Sequence, residues 1–349
     1  MPKSFLKQSL QGFQPYVPGE QPPDDAGWVK LNTNESPLPP SPKVIEAVRN
    51  AAGDALRLYP SATAAPARQA IARRFDLDPA QVTLGNGADE LIEMCFRAFA
   101  GAGDRVAFPT PTYPVLEPLC LMHETPPSMH PTELPWELPP TLAADPARLK
   151  FIANPNSPTG ALFDAGAVEA VAAASSGVVV IDEAYVDFAP RSALPLLASH
   201  QNVLVIRTFS KSYALAGMRI GFALGHPDLI AALDLVKESY NIDRLAIAAA
   251  VAAIEDEVHH RMIVGQVIAN RRELNAALLE LGFEVVPSAA NFLFVKPPRP
   301  AAEVAAGLRE RRILVRHYDR EPIAGWFRVT VGTEEQHDRL LAALREILR

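Results

Sequence analysis

The stretch at residues 203–224, VLVIRTFSKSYALAGMRIGFAL, decides how the chain is read. Two apolar, β-branched runs, 203–207 and 220–224, have the length and composition of strands. Between them Thr208-Phe209-Ser210-Lys211-Ser212 sets a lysine between two hydroxyls just past a strand end. A lysine in such a place is ordinarily just solvated. What singles it out is the sequel: small residues at Ala214, Ala216 and Gly217 permit close backbone approach, and the guanidinium of Arg219 returns eight positions after the lysine.

The same rhythm extends upstream. Strand-like runs at 82–84, 105–108, 149–153 and 178–182 alternate with helical or loop segments of crossover length, and amphipathic helical patterns occupy 41–53 and 65–75. Strands separated by crossovers imply an α/β fold with a mainly parallel sheet, whose ligands bind at the carboxyl ends of the strands. Residues just after each strand therefore matter most. The run at 177–181 ends in Asp182-Glu183-Ala184-Tyr185, a carboxylate and a phenol at such an edge; a strand-capping Asp and a surface Tyr would fit the same letters. The run at 82–84 leads into Gly85-Asn86-Gly87-Ala88-Asp89, which opens a helix from Glu90, so backbone N–H groups at a helix N-terminus can receive a phosphate. An ordinary strand-to-helix turn reads the same way, and the pattern is neither GxGxxG nor a Walker loop.

After Pro227 a helix reaches Lys237, and an unbroken helical pattern then runs over 244–281, ended by Gly282. Short strands at 283–286, 292–296, 313–316 and 327–331, with helices at 301–310 and 334–348, suggest a separate α+β lobe. The division expected is an arm at 1–40 that adds to the small lobe, a large domain at 41–245 and a small domain at 246–349, linked by the long helix.

Composition narrows the function. With 33 Lys+Arg against 40 Asp+Glu the net charge is −7, which argues against a nucleic-acid partner. The longest apolar run, 245–254, is about half of the roughly 20 residues a membrane span needs. Cys95 and Cys120 are too few for a disulfide framework, and the N-terminus has no continuous apolar leader, so a reducing, cytoplasmic setting is expected. The eight histidines show no metal-ligand spacing, and no metal is expected. Of the 33 prolines, nine fall at 2–42 and thirteen at 109–158, which marks two stretches as stiffened loops.

A lysine that can form an imine, a carboxylate that keeps a ring nitrogen protonated, and hydroxyls, amides and an arginine for a phosphate are what pyridoxal phosphate requires. Lys211, Asp182, Ser210 and Arg219 supply that set. With these residues in place, the sequence resembles the fold-type I pyridoxal-phosphate aminotransferases of class I/II, and within them the histidinol-phosphate branch. Matching segments run in order over nearly the whole chain: QPYVPG at 14–19, KLNTNESPLPPSP at 30–42, RLYP at 57–60, GNGADELIE at 85–93, PTYPV at 111–115, NPNSPTG at 154–160, DEAYVDF at 182–188, RTFSKSYALAGMRIGF at 207–222 and FRVTVGT at 327–333.

The resemblance implies a large domain with a mainly parallel central sheet, a smaller α+β domain, and pyridoxal phosphate as cofactor. It implies Lys211 as the lysine that holds the cofactor and as the base at the substrate α-carbon, Asp182 on the ring nitrogen, Tyr185 as donor to the ring oxygen and Tyr113 stacked on the ring. Ala88, Asp89, Ser210 and Arg219 would surround the phosphate. Tyr59 is similar to a tyrosine sent from one subunit to the phosphate in the other, implying a homodimer with shared sites. Arg328 resembles the arginine that grips an α-carboxylate, Arg316 and Tyr16 residues that meet a substrate phosphate. Asn34 and Glu35 would line the entrance, and 238–244 would lie near the imidazole end. The chain departs from the family at NPNSPTG, where Ser157 precedes Pro158 and Asn156 lies one place earlier; Asn156 is the expected ring-oxygen ligand, with Ser157 as the alternative donor and loop bracing as Asn156's other role. The implied activity is amino transfer from L-histidinol phosphate to 2-oxoglutarate. An aromatic aminotransferase or a threonine-phosphate decarboxylase shares the shape. A non-catalytic relative is opposed by the joint presence of Lys211, Asp182 and Arg219, and a nicotinamide enzyme by the poor match at 85–90.

Overall fold

The computed structural model describes residues 5–7, 10–11, 17–23 and 27–349. In chain order, β1 (Val29–Lys30), α1 (Pro42–Ala51), α2 (Ala65–Phe75), β2 (Val82–Asn86), α3 (Gly87–Phe99), β3 (Val106–Thr110), α4 (Leu116–Met122), β4 (Pro127–Pro131), α5 (Thr141–Ala144), β5 (Leu149–Ala153), α6 (Ala165–Ala174), β6 (Val178–Asp182), β7 (Val203–Thr208), β8 (Ile220–Gly225) and α7 (Pro227–Val236) make up the first part. They are followed by α8 (Arg244–Glu255), α9 (Glu257–Glu280), β9 (Glu284–Val285), β10 (Phe292–Lys296), α10 (Ala301–Glu310), β11 (Ile313–Leu314), β12 (Arg316–His317), β13 (Phe327–Thr330) and α11 (Glu334–Ile347).

Seven strands form the central sheet in the order β2-β8-β7-β6-β5-β3-β4. Five of them, β4, β3, β5, β6 and β7, pair in parallel, and β8 lies antiparallel between β7 and β2. The sheet is thus mainly parallel, as expected. The reversal of β8 follows from its connection: residues 209–219 join β7 to β8 with no crossover helix to carry the chain back, so the two strands pair as a hairpin. Alternate side chains of the central strands go to opposite faces. Val179, Ile181, Val203 and Val205 pack with residues of α2, α6 and α8, whereas Val180, Leu204 and Ile206 pack with α3, α4 and α7. Burial on both faces explains why these strands read as continuous apolar runs rather than alternating ones.

The single helix expected over 244–281 is broken at Asp256, whose backbone leaves the helical region at φ −93°, ψ 63°. Its carboxylate accepts hydrogen bonds from Ser41 Oγ at 2.5 Å and Lys43 Nζ at 3.0 Å, which ties the break to the start of α1. The domain boundary expected at 245/246 falls inside α8, and the buried residues of α8, among them Ala246, Ala249, Ala250 and Ile254, pack with the large core. Farther on, Leu274 and Leu278 of α9 pack with β10, β13, α10 and α11 in a second core that also takes in Val29 and Leu31. The strand expected at 313–316 is likewise split: β11 pairs with β1, and β12 begins at Arg316 and joins the sheet β12-β13-β10-β9. No helix among the described residues is long and apolar enough to cross a membrane, and no group of three or more metal-ligating side chains is found among them.

Candidate active site

The carboxyl ends of β2, β3, β5, β6 and β7 and the start of the reversed β8 share one edge of the sheet, opposite β12 and β13. Between them lies a cavity of about 560 Å³. Of the residues singled out in the sequence, Ala88, Asp89, Tyr113, Asp182, Tyr185, Ser210, Lys211, Arg219, Arg316, Arg328 and Asn34 all line it, as do Glu35 and Ser157.

Asp182 forms the base of the site at the end of β6. Its carboxylate accepts one backbone hydrogen bond, from Ala184 N–H at 3.0 Å, and burial pushes its pKa up to about 6. Desolvation is the main cause; the nearby Asp89 and Glu183 charges add to it, and the Ala184 N–H and the Lys211 ammonium offset it only in part. Lys211 follows β7 on a loop tied down by Leu215 N–H to Phe209 O at 3.0 Å and by Ser212 Oγ to Asp187. Its ammonium donates to Thr33 O at 3.4 Å and lies 5.7 Å from the Tyr185 ring centroid. Under this loop Arg207 pairs with Glu183 at 2.8 Å, and His260 of α9 reaches Asp187 at 3.3 Å and stacks on Tyr213. Burial raises the Asp187 pKa, but His260, Arg207 and Ser212 outweigh it and hold the carboxyl below its ordinary value. Buried pairs of this kind fix geometry more than they add stability.

One end of the cavity is built by the start of α3. Its N-cap Asn86 offers no side-chain cap, which leaves first-turn N–H groups for a ligand. Gly87 has φ +81°, and a Cβ there would come within 2.5 Å of Arg219 Nη2, so the missing side chain makes room for the guanidinium. Arg219, itself at φ +52°, donates to Asp89 Oδ2 at 3.1 Å, and Tyr113 Oη donates to Asp89 Oδ1 at 2.9 Å. Gly221 closes the cup from below: a Cβ there would lie 2.7 Å from Ala88 N. Gly221→Ala is therefore expected to push β8 off the start of α3, costing about 1–3 kcal/mol of stability. The check is a paired denaturant melt and cofactor-retention assay, and unchanged retention would refute the close-approach argument.

At the other end, Arg316 and Arg328 are direct cross-strand partners on β12 and β13. Like charges opposite one another are unfavourable unless an anion lies between or beside them. Arg328 donates to Ser157 Oγ at 3.2 Å and to Asn32 O at 3.1 Å, while its buried Nε has no partner among the described residues. Arg316 donates to Val17 O at 2.8 Å.

Two expected ligands stand elsewhere, and a third lies outside the described residues. Asn156 is buried away from the cavity; it donates to Pro111 O at 3.2 Å and accepts from Thr159 Oγ1 at 3.2 Å, so it braces the 154–160 loop, and Ser157 is the residue that reaches the cavity. Tyr59 is 78% exposed and stacks on Tyr240 at 4.5 Å, outside this chain's own cavity. Tyr16 lies outside the described residues. Asn34 does more than line an entrance: it is buried, at φ +57°, with its backbone N–H donating to Thr330 Oγ1, and its Nδ2 donates to Tyr185 Oη at 3.0 Å. The sequence reading also passed over Thr208, whose hydroxyl donates to Ser210 Oγ at 3.0 Å and accepts from Ser210 N–H. Its place as the last residue of an apolar strand was the available signal.

Comparison with known proteins agrees with this geometry. The family model described as aminotransferase class I and II matches residues 26–344. The histidinol-phosphate aminotransferase of Aromatoleum aromaticum is 47% identical over 97% of this chain and 98% of its own, and that of Acetobacter pasteurianus is 46% identical over 99% and 98%. The crystal structure of histidinol-phosphate aminotransferase from Sinorhizobium meliloti in complex with pyridoxal-5'-phosphate superimposes with a TM-score of 0.85 at 30% identity, covering 92% of this chain and 91% of that one. With the lysine loop, the buried aspartate and the arginine pair all in one cavity, the chain belongs to the class I and II aminotransferases.

Proposed function

We propose that the chain is a pyridoxal-phosphate-dependent aminotransferase that moves the amino group of L-histidinol phosphate to 2-oxoglutarate. The observation that carries the reading is one cavity with an amine and a buried, under-partnered carboxylate at one end and two paired guanidiniums at the other. The near relatives named for that reaction support it.

The residues fit the cofactor. Asp182 is a desolvated acceptor suited to a protonated ring nitrogen, the open N–H groups of α3 with Ser210 and Arg219 suit a phosphate, and Tyr113 and Tyr185 flank the space between. When bound, pyridoxal phosphate supplies an aldehyde that exchanges amines and a ring that accepts the electron pair freed at the substrate α-carbon. Lys211 holds the group and is the base that takes and returns the proton at that carbon, work a lysine can do because its pKa can be lowered. Asn34 fixes the Tyr185 hydroxyl so that it donates toward the ring oxygen, and Ser157 replaces the asparagine expected there.

L-histidinol phosphate carries a phosphate and 2-oxoglutarate carries carboxylates, so one anion site at Arg316 and Arg328 serves both partners. Arg316→Ala is expected to lower kcat/KM for L-histidinol phosphate by about 10- to 100-fold, the worth of a charged hydrogen bond, and to leave phenylalanine turnover nearly unchanged. Steady-state comparison of the two donors tests it, with carbon dioxide release from phosphothreonine as a third arm. Preference for phenylalanine and no penalty from the substitution would overturn the substrate assignment. The exposed Tyr59 supports a homodimer in which it completes the partner's phosphate cup, with residues 41–255 as the large domain, and the two buried free thiols suit a reducing cytoplasm.

A further inference from the structure

Behind the catalytic cavity, on the far side of the 154–163 loop, lies a second cleft of about 800 Å³ between the two cores. Ser157 faces the first cavity, whereas residues 161–164 line the second, so this one loop is a wall shared by both. It is clamped to the small lobe by Ala289 N–H donating to Gly160 O at 2.8 Å, and Gly160, at φ +76°, leaves Ser288 room that a Cβ would fill.

The lining is built like a ligand site. Trp136 is 4% exposed, and its Nε1 is buried with no acceptor among the described residues. It sets its edge against Trp326 at 6.5 Å and Phe294 at 6.3 Å, giving the cleft one aromatic wall. The lining also carries two guanidiniums, Arg191 and Arg271, whose hydrogen bonds among the described residues go only to backbone carbonyls. Arg271 donates to Ala290 O at 2.6 Å and Phe188 O at 3.3 Å, Arg191 to Phe163 O at 2.9 Å, and neither forms an ion pair among the described residues. Burial and the neighbouring Arg272 lower the Arg271 pKa to about 10, as expected for a cation without its anion. The acids of the cleft do not fill the gap: Glu284 pairs with Lys296 at 3.1 Å, Asp164 caps α6, and Glu137 is exposed. A buried N–H donor beside aromatic faces and two unpaired guanidiniums calls for a planar anion.

We infer that this cleft is a second binding site, distinct from the catalytic cavity, for a small aromatic carboxylate whose ring lies against Trp136 and Trp326 and whose carboxylate meets Arg191 and Arg271. Occupation would act on the shared loop, and through Ser157 on Arg328.

Benzoate is a suitable probe, with uncharged benzamide as its control. Two of the chain's three tryptophans line the cleft, so tryptophan fluorescence of the cofactor-loaded protein reports on it. Benzoate should change the emission saturably and benzamide should not. Arg191→Gln and Arg271→Gln should each weaken benzoate by about tenfold, a charged hydrogen bond's worth. Arg191 is on the surface and its variant should fold even if that of Arg271 does not. Arg328→Gln should leave the titration in place, and inhibition by benzoate should be non-competitive with the amino donor. The inference is overturned by no saturable change, by an equal response to benzamide, or by a response that vanishes in Arg328→Gln and survives in Arg191→Gln.

Discussion

Lys211→Ala is expected to abolish amino transfer, lowering turnover by at least about 10⁴-fold, because the variant loses both the amine that holds the cofactor and the base at the α-carbon. Lys211→Arg should be as inactive: it keeps the positive charge, but a guanidinium cannot give up its proton near neutral pH. The fold should not notice. The side chain's one hydrogen bond among the described residues, to Thr33 O at 3.4 Å, is long, and the loop is held by Phe209, Ser212 and Leu215 rather than by the ammonium. Melting temperatures of the cofactor-free proteins should therefore agree closely. The same variant tests the shared site: when Lys211→Ala subunits are mixed with Tyr59→Phe subunits, hybrid dimers should recover a site with both residues native, and cofactor retention there should return. Residual turnover above about 1% of wild type in Lys211→Ala would remove the lysine from its assigned place.

Asp182→Asn should show the opposite pair of effects, a loss of activity of about 10²- to 10³-fold and a more stable cofactor-free protein. The sign follows from the raised pKa. An aspartate ordinarily titrates near 3.8 and here near 6, so between those values the folded chain binds a proton that the unfolded chain has lost. Stability is fully present below about pH 4 and declines as pH rises toward 6, by an amount of about 3 kcal/mol. Asparagine removes that decline. A protonated ring nitrogen reverses it, so the thermal shift produced by pyridoxal phosphate in the wild-type protein should be larger at neutral pH than at pH 5, and the variant should lose this pH dependence. Melting curves across that range decide it; a variant with the wild-type slope would show that Asp182 is not the group whose burial matters.

Much of this arrangement was legible because the sheet is buried on both faces. Leu149–Ala153, Val178–Asp182 and Phe292–Lys296 read as strands at their observed limits, since apolar residues dominate each run and Lys150 is the one charged residue in their interiors. The direction of β8 was not legible in its letters, as an apolar run says nothing about which way it points. β4 was missed because Pro127 and Pro131 sit at its ends, which is tolerable only because the strand is at the sheet's edge. The helix break at Asp256 depends on a partner more than two hundred residues away in sequence, Ser41, and no local pattern carries that. Lys211, Asp182 and Arg219 stand out in the sequence because each adjoins a strand end, and the fold brings all three to one cavity. The sequence leaves Asn156 and Ser157 as alternatives, since which of two neighbours faces a cavity depends on the turn, not on composition; the turn here presents Ser157. The proline-rich stretch at 118–146, unaccounted for in the sequence, supplies the edge strand and Trp136 of the second cleft.

The reversed strand also governs where the gene can change length. Gly221 pairs with Thr208 on one side and with Gly85 on the other, and Arg219 stands two residues before it. The distance between the lysine end and the phosphate end is therefore measured by ladder rungs and not by the loop that joins them. A change of length at the crown of that loop, around Ala216 and Gly217, would alter the cavity wall they line but leave both ends anchored. An insertion within β8 itself would instead bring Ile220 or Phe222 against Ala88 and dismantle the two ends together.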